Sequence, residues 1–309
     1  MRSLFPVITV PLDAPDEYEL ISTKGGFWFH ECNLGLCLYK EATPNTGEDW
    51  AEKIASELCA LLRLPHAEYH LASFDGKHGT ISRSFVPEGG ILIVGNEALA
   101  RTVPDYPKNP KDLSRHTIDI VFNAIKESSV QLPIDCTPPD GIRTALDVFV
   151  GYLLLDAWVG NSDRHHQNWA FIKYKGASTK EQTTCLAPTY DHGSCLGREL
   201  RDEDRHKRLT TKDTGFSVQR YVTKCHSALY AKFEDKKPLK TFEVFREVAE
   251  RYPDAALVWL DYLAKVSLTD TLDLFRRIPS DRISETAIKF AQKVLELNQS
   301  RLLDLRNIQ

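Results

Sequence analysis

Asp163 and Asn168 are separated by four residues in the polar segment Gly160-Asn161-Ser162-Asp163-Arg164-His165-His166-Gln167-Asn168. At this spacing a carboxylate can take the proton of an attacking hydroxyl while the amide oxygen sits on a divalent cation, which is what phosphoryl transfer requires. The same residues also fit a solvated loop in which Asp and Asn cap turns. Twenty-three residues further on (191 − 168), Asp191 follows Leu186-Ala187-Pro188-Thr189-Tyr190 and precedes Gly193. A carboxylate held at a strand end can bind the metal that bridges nucleotide phosphates, and an Asx turn is the plainer alternative. Upstream, Lys40 closes the apolar run 36–39 and Glu52 lies twelve residues later. An ammonium there can neutralise phosphates while the carboxylate positions it, although a surface pair would look the same. Glu57 is a second carboxylate for that role. Ser22, Thr23, Lys24, Gly25 and Gly26 could cradle phosphates through backbone N–H groups or form an ordinary Gly-Gly turn, since the segment is not a G-x-G-x-x-G.

Such side chains need rigid supports, and the hydrophobic pattern supplies them. Residues 27–30 and 36–40 are aromatic or apolar and flank Asn33 and Gly35, which predicts a hairpin ending in Lys40. From 47 to 63, Trp50, Ala51, Ile54, Leu58, Leu61 and Leu62 recur mostly at three- and four-residue steps, so Glu52 should ride on an amphipathic helix. Strand-like stretches at 67–72 and 80–86 lead into Pro87-Glu88-Gly89-Gly90, a breaker cluster suited to a hinge. Helical faces follow at 118–125, 144–159, 241–252, 255–266 and 283–305, with short strands at 169–174 and 185–187 enclosing the polar loops. The expectation is an α+β, bilobal chain: a sheet-rich, nucleotide-binding N-lobe over 1–86, and a larger helical C-lobe over 87–309 that carries the Asp163 loop.

Composition sets limits. The chain has 309 residues, of which 42% are hydrophobic and 27% charged, enough apolar material for a sizeable core and no bias toward disorder. A formal charge of 39 − 43 = −4 argues against a broad nucleic-acid-binding face. The seven cysteines are odd in number and scattered, which predicts free thiols in a reducing, cytoplasmic setting. Pro6 interrupts the start too early for a signal peptide. The longest apolar stretch, 145–159, carries Asp147 and Asp156 and falls short of the ~20 residues of a membrane span.

Lys40, Glu52, Asp163, Asn168 and Asp191 thus occur in the order in which kinases use such residues. On the loop Asn161-Ser162-Asp163-Arg164-His165-His166-Gln167-Asn168 and on Leu186-Ala187-Pro188-Thr189-Tyr190-Asp191, the chain resembles the HipA-like kinases, a family with a protein-kinase-like fold distantly related to protein and phosphoinositide kinases. The resemblance runs from about Lys40 to Gly197. It implies ATP, Mg²⁺ and transfer to a hydroxyl, with Asp163 as base, Asn168 and Asp191 as metal ligands and Lys40 on the phosphates. His165 would stand where protein kinases commonly have Lys, either touching the transferred phosphoryl or packing. With 39 residues ahead of Lys40, where HipA toxins carry a further N-terminal subdomain, an antitoxin partner is left open. The implied activity is a Mg-dependent Ser/Thr protein kinase that also phosphorylates itself. A phosphoinositide-type lipid kinase and a nucleotide-binding pseudokinase are the alternatives.

Overall fold

In the computed structural model the chain is described over residues 3–15, 17–18, 26–107, 109, 111–127, 129–175 and 181–307. The first lobe is a six-stranded sheet made of β1 (Val7–Thr9), β2 (Glu17–Tyr18), β3 (Gly26–Glu31), β4 (Gly35–Glu41), β5 (Tyr69–Phe74) and β6 (Lys77–Arg83), with α1 (Glu48–Leu62) inserted between β4 and β5. Spatial order is β1-β5-β6-β4-β3-β2; β1 runs parallel to β5 and the other pairs are antiparallel. The period of two sends Cys37 and Tyr39 into a cluster with Phe27, Phe29, Ala72 and Ile81, which leaves Lys40 on the opposite face. The Phe27 ring lies 5.0 Å from Tyr39 and 4.7 Å from Phe74, centroid to centroid, fixing this cluster.

A second, antiparallel sheet consists of β7 (Ile91–Val94), β8 (Ala170–Lys175) and β9 (Gln182–Leu186). The helices are α2 (Gly95–Thr102), α3 (Ile118–Glu127), α4 (Ala145–Val159), α5 (Asp202–Thr210), α6 (Val218–Val222), α7 (Thr241–Arg251), α8 (Pro253–Lys265), α9 (Leu268–Phe275) and α10 (Glu285–Asp304). α4 is apolar on all sides, and every residue in it except Asp147 is buried, with α7, α8 and α10 packed around it. Thr144 begins it with a capping box: its hydroxyl accepts the Asp147 N–H and the Asp147 carboxylate accepts the Thr144 N–H. None of the described helices is long and apolar enough to cross a membrane, and all seven cysteines are free thiols.

The predicted hairpin and the helices at 47–63 and 144–159 are present, whereas the strand pair expected at 67–72 and 80–86 is shifted to 69–74 and 77–83 around the tight turn Asp75-Gly76. Short elements of three to nine residues, β1, β7, α2, α5 and α9, were not anticipated. β7 matters most. It follows the Pro87–Gly90 turn and pairs with β8, adding a third strand to the two short ones expected at 169–174 and 185–187.

Candidate active site

β8 and β9 are antiparallel neighbours with Phe171 opposite Leu186, so the loop that enters β8 and the segment that leaves β9 emerge at the same end. This brings 161–169 beside 187–194. α4 stops where Gly160 adopts a left-handed conformation (φ 69°), turning the chain into the first of these segments. There, Asn161 Oδ1 accepts the Asp163 N–H at 3.1 Å, while the Asp163 carbonyl accepts from Asn168 Nδ2 at 2.7 Å and from the His165 N–H at 2.8 Å. The Asp163 backbone is pinned at both of its polar groups and the carboxylate is left half-exposed. With its Nδ2 committed, buried Asn168 keeps Oδ1 as an acceptor. His165 Nδ1 accepts the Gln167 N–H, which turns Nε2 to within 3.7 Å of Asp163 Oδ1.

Asp191 also has left-handed backbone (φ 59°), held by its N–H donating to the Tyr69 hydroxyl of β5 at 3.1 Å. Lys40 Nζ, from the end of β4, lies 3.4 Å from Asp191 Oδ2, and both side chains are about one-third exposed, at 32% and 36%. Burial works to raise the Asp191 pKa, but the Lys40 ammonium, by its charge and its hydrogen bond, outweighs it and holds the carboxyl below its ordinary value. Glu52 is buried on α1 and accepts the backbone N–H groups of His192, at 2.7 Å, and of Gly193. A Cβ at Gly193 would lie 3.0 Å from Glu52 Oε2, so this approach favours glycine. Burial, then the charge of Asp191, pushes Glu52 up to about 8, and Lys40 opposes them. Glu52 thus supports the Asp191 segment from below, while Lys40 closes on Asp191 directly. Glu57 pairs with Lys53 on the same helix.

Of the proposed phosphate loop, Ser22, Thr23, Lys24 and Gly25 lie outside the described residues. Gly26 opens β3 and is in register opposite Lys40.

The residues that sequence reasoning missed lie beneath this surface. Arg164 is buried; its Nε and Nη2 form a two-point ion pair with Asp156 on α4 (2.7 and 2.8 Å), and it also donates to the Asn168 carbonyl at 2.6 Å and to Thr189 Oγ1 at 2.9 Å. Thr189, having accepted from Arg164, donates its hydroxyl proton to His192 Nε2 at 2.7 Å. Burial, followed by Arg164, pushes His192 down to about 3, so the ring is neutral with its proton on Nδ1, 3.5 Å from Glu52 Oε1. One connected set of polar groups therefore runs from α4 through both loops to α1. Asp156, deep in the apolar run 145–159, was the available signal, since a buried charge needs a partner.

Lys40 and Glu52 thus gather at the Asp191 segment, while Asp163, His165 and Asn168 share the neighbouring loop, which Ser194 joins to that segment through Asp163 Oδ2. Among the described residues no three His, Cys, Asp or Glu side chains converge as a ready-made metal site, so a cation here would draw part of its shell from a ligand.

No protein-family model matches the sequence, and no curated protein is similar to it. Similarity appears at the level of structure. The Helicobacter pylori proinflammatory kinase CtkA superposes over 98% of each chain with a TM-score of 0.76 at 19% identity. HipA of Shewanella oneidensis MR-1, solved with HipB and operator DNA, superposes over 97% of this chain and 70% of its own with a TM-score of 0.55 at 10% identity. The fold is that of bilobal kinases.

Proposed function

We propose that the chain is an ATP-dependent, Mg²⁺-requiring kinase that transfers the γ-phosphoryl group to a Ser or Thr hydroxyl of a protein, its own chain included. The observation that carries this reading is the Lys40–Asp191 contact, which joins residues 151 positions apart. Kinase-type chemistry is also what the similar folds suggest. The donors fit Mg²⁺: a hard carboxylate on Asp191 and the amide oxygen of Asn168, two protein ligands that leave positions for nucleotide phosphates and water. When bound, that ion supplies neutralisation of the charge on the phosphates.

This chain's residues do the rest by positioning. Lys40 offers its ammonium to the nucleotide phosphates, and Glu52 braces the backbone that presents Asp191. Asp163 accepts the proton of the acceptor hydroxyl as that oxygen bonds to the γ-phosphorus. The bond from the γ-phosphorus to the β,γ-bridging oxygen breaks, its electron pair leaving with ADP. His165 Nε2–H, beside the Asp163 carboxylate, orients that base and adds positive potential toward the phosphoryl oxygens.

The test is incubation with labelled ATP and Mg²⁺, offering a protein mixture and, separately, phosphoinositide vesicles, followed by mapping of the label. Label on Ser or Thr is expected. Label confined to lipid, or nucleotide binding without transfer to any acceptor, would overturn the assignment.

A further inference from the structure

A cavity of about 290 Å³ opens beside the Asp163 loop, where Ser162 and Ser194 meet α5, α6 and the segment after α6. Ser162 donates its N–H to the Ser194 carbonyl at 3.1 Å, and Ser194 Oγ donates to Asp163 Oδ2 at 3.5 Å, so the cavity wall and the proposed base are one hydrogen bond apart. Its charged lining is Arg208, Arg220 and Lys224 against Glu199. The Glu199 carboxylate is engaged, accepting the Tyr221 hydroxyl at 2.9 Å. Among the described residues the three cations form no ion pair, in a chain whose formal charge is −4. The Arg208 guanidinium lies 4.2 Å from the Phe216 ring centroid and 5.5 Å from that of Tyr221, while its buried Nε has no hydrogen-bond partner. Rings fix the direction of this cation without satisfying its donors.

Three cations gathered in a concave space, one of them pre-oriented and under-bonded, leave a local positive potential that a compact anion would quench. The space would hold about ten waters, or one acidic side chain with part of its hydration. Its wall at Ser194 is hydrogen-bonded to Asp163, where the acceptor hydroxyl would come. We propose that this cavity is a specificity subsite for an anionic side chain, a carboxylate or a phosphate, carried by the acceptor polypeptide near the residue to be phosphorylated. The inference rests on the protein-kinase reading above and adds the class of substrate: acidic or previously phosphorylated segments. α5 begins with Asp202, Glu203 and Asp204 and carries its basic residues, Lys207 and Arg208, in its last turn, at the end that reaches the cavity.

The experiment is phosphoryl transfer to peptides with one Ser acceptor, in which Glu, phosphoserine, Ala or Lys is placed at each position on either side of it. Wild type and an Arg220→Glu/Lys224→Glu variant are compared. Both replaced side chains are exposed, so folding is not at stake. The wild-type chain should prefer Glu or phosphoserine over Ala at a defined position, and the variant should lose at least about tenfold of that preference in kcat/KM and turn toward Lys. Reversal toward Lys is a readout that mere structural damage would not produce. Whether Glu or phosphoserine is favoured identifies the anion, and either result supports the subsite. Equal use of all peptides by wild type, or a preference untouched by charge reversal, would overturn the subsite while leaving the kinase reading in place. Transfer to no peptide and no protein would instead fail the kinase reading.

Discussion

Two buried imidazoles, His116 and His192, make the folded state sensitive to pH below neutrality. His116 donates from Nδ1 to the Ala228 carbonyl at 2.8 Å and accepts the Trp169 indole N–H at Nε2 at 3.1 Å, and burial pushes it down to about 3. His192 is depressed to the same value, chiefly by burial. Both rings stay neutral in the folded protein, whereas in the unfolded chain they take up a proton as pH falls through 6.5. Between these two values the unfolded state binds more protons, so stability falls as pH falls, by about 1.4 kcal/mol per pH unit for each ring. Glu52, pushed up to about 8, acts with the opposite sign over this range in both proteins, so the comparison isolates the ring: followed from neutral pH down to about pH 4.5, His116→Gln should lower stability at neutral pH and lose less of it per pH unit than wild type. An unchanged slope would mean that His116 is protonated in the native state. None of this was legible from the sequence, because a histidine's burial depends on partners such as Ala228, 112 residues away.

At the scale of elements, α4 and the loop after it act as one part. Asp156 lies a turn before the end of an otherwise apolar helix, and its bond to Arg164 carries the loop backbone at Asn168 and the hydroxyl of Thr189. Removing one member leaves the other charged in the core, which typically costs about 3–5 kcal/mol. Arg164→Ala and Asp156→Ala should each destabilise the protein by that order in denaturant unfolding. The double variant should lose clearly less than the sum, since neither charge is then stranded. Strict additivity would show that the pair is not coupled. The helix itself was readable, because fifteen residues of apolar sequence between Thr144 and Gly160 have few other solutions. So was the hairpin that ends in Lys40, with turn residues between two apolar runs. β7 and β1 were not, since three or four residues carry no usable period and β7 forms only because β8 lies beside it. The position of Glu52 on a helix was legible from spacing. Its bonds to the backbone at 192 and 193 were not, because spacing along one helix does not tell which distant loop will pack on it.

The whole molecule matters because the cleft is assembled from both lobes. α1 contacts β5 and β6 on one side and α8 and α9 on the other. Arg282, in the turn before α10, donates to Asp49 of α1 at 2.8 Å and to the Ala72 carbonyl of β5 at 2.8 Å, fastening sheet and helices together behind the site. Burial raises the Asp49 pKa, with Arg282 acting in opposition. This anchorage lets a lysine on β4 and a carboxylate after β9 keep one geometry, to which the resemblance in the two loops pointed without supplying a distance. The most direct check is γ-phosphoryl transfer from ATP in the presence of Mg²⁺ by Asp163→Asn beside wild type, with nucleotide affinity measured on the same samples. Loss of the base should cut transfer by about 10²–10⁴-fold while Mg-ATP still binds within a few-fold of wild type. Equal turnover by the two proteins, or a wild-type chain that binds no nucleotide with Mg²⁺, would contradict the account.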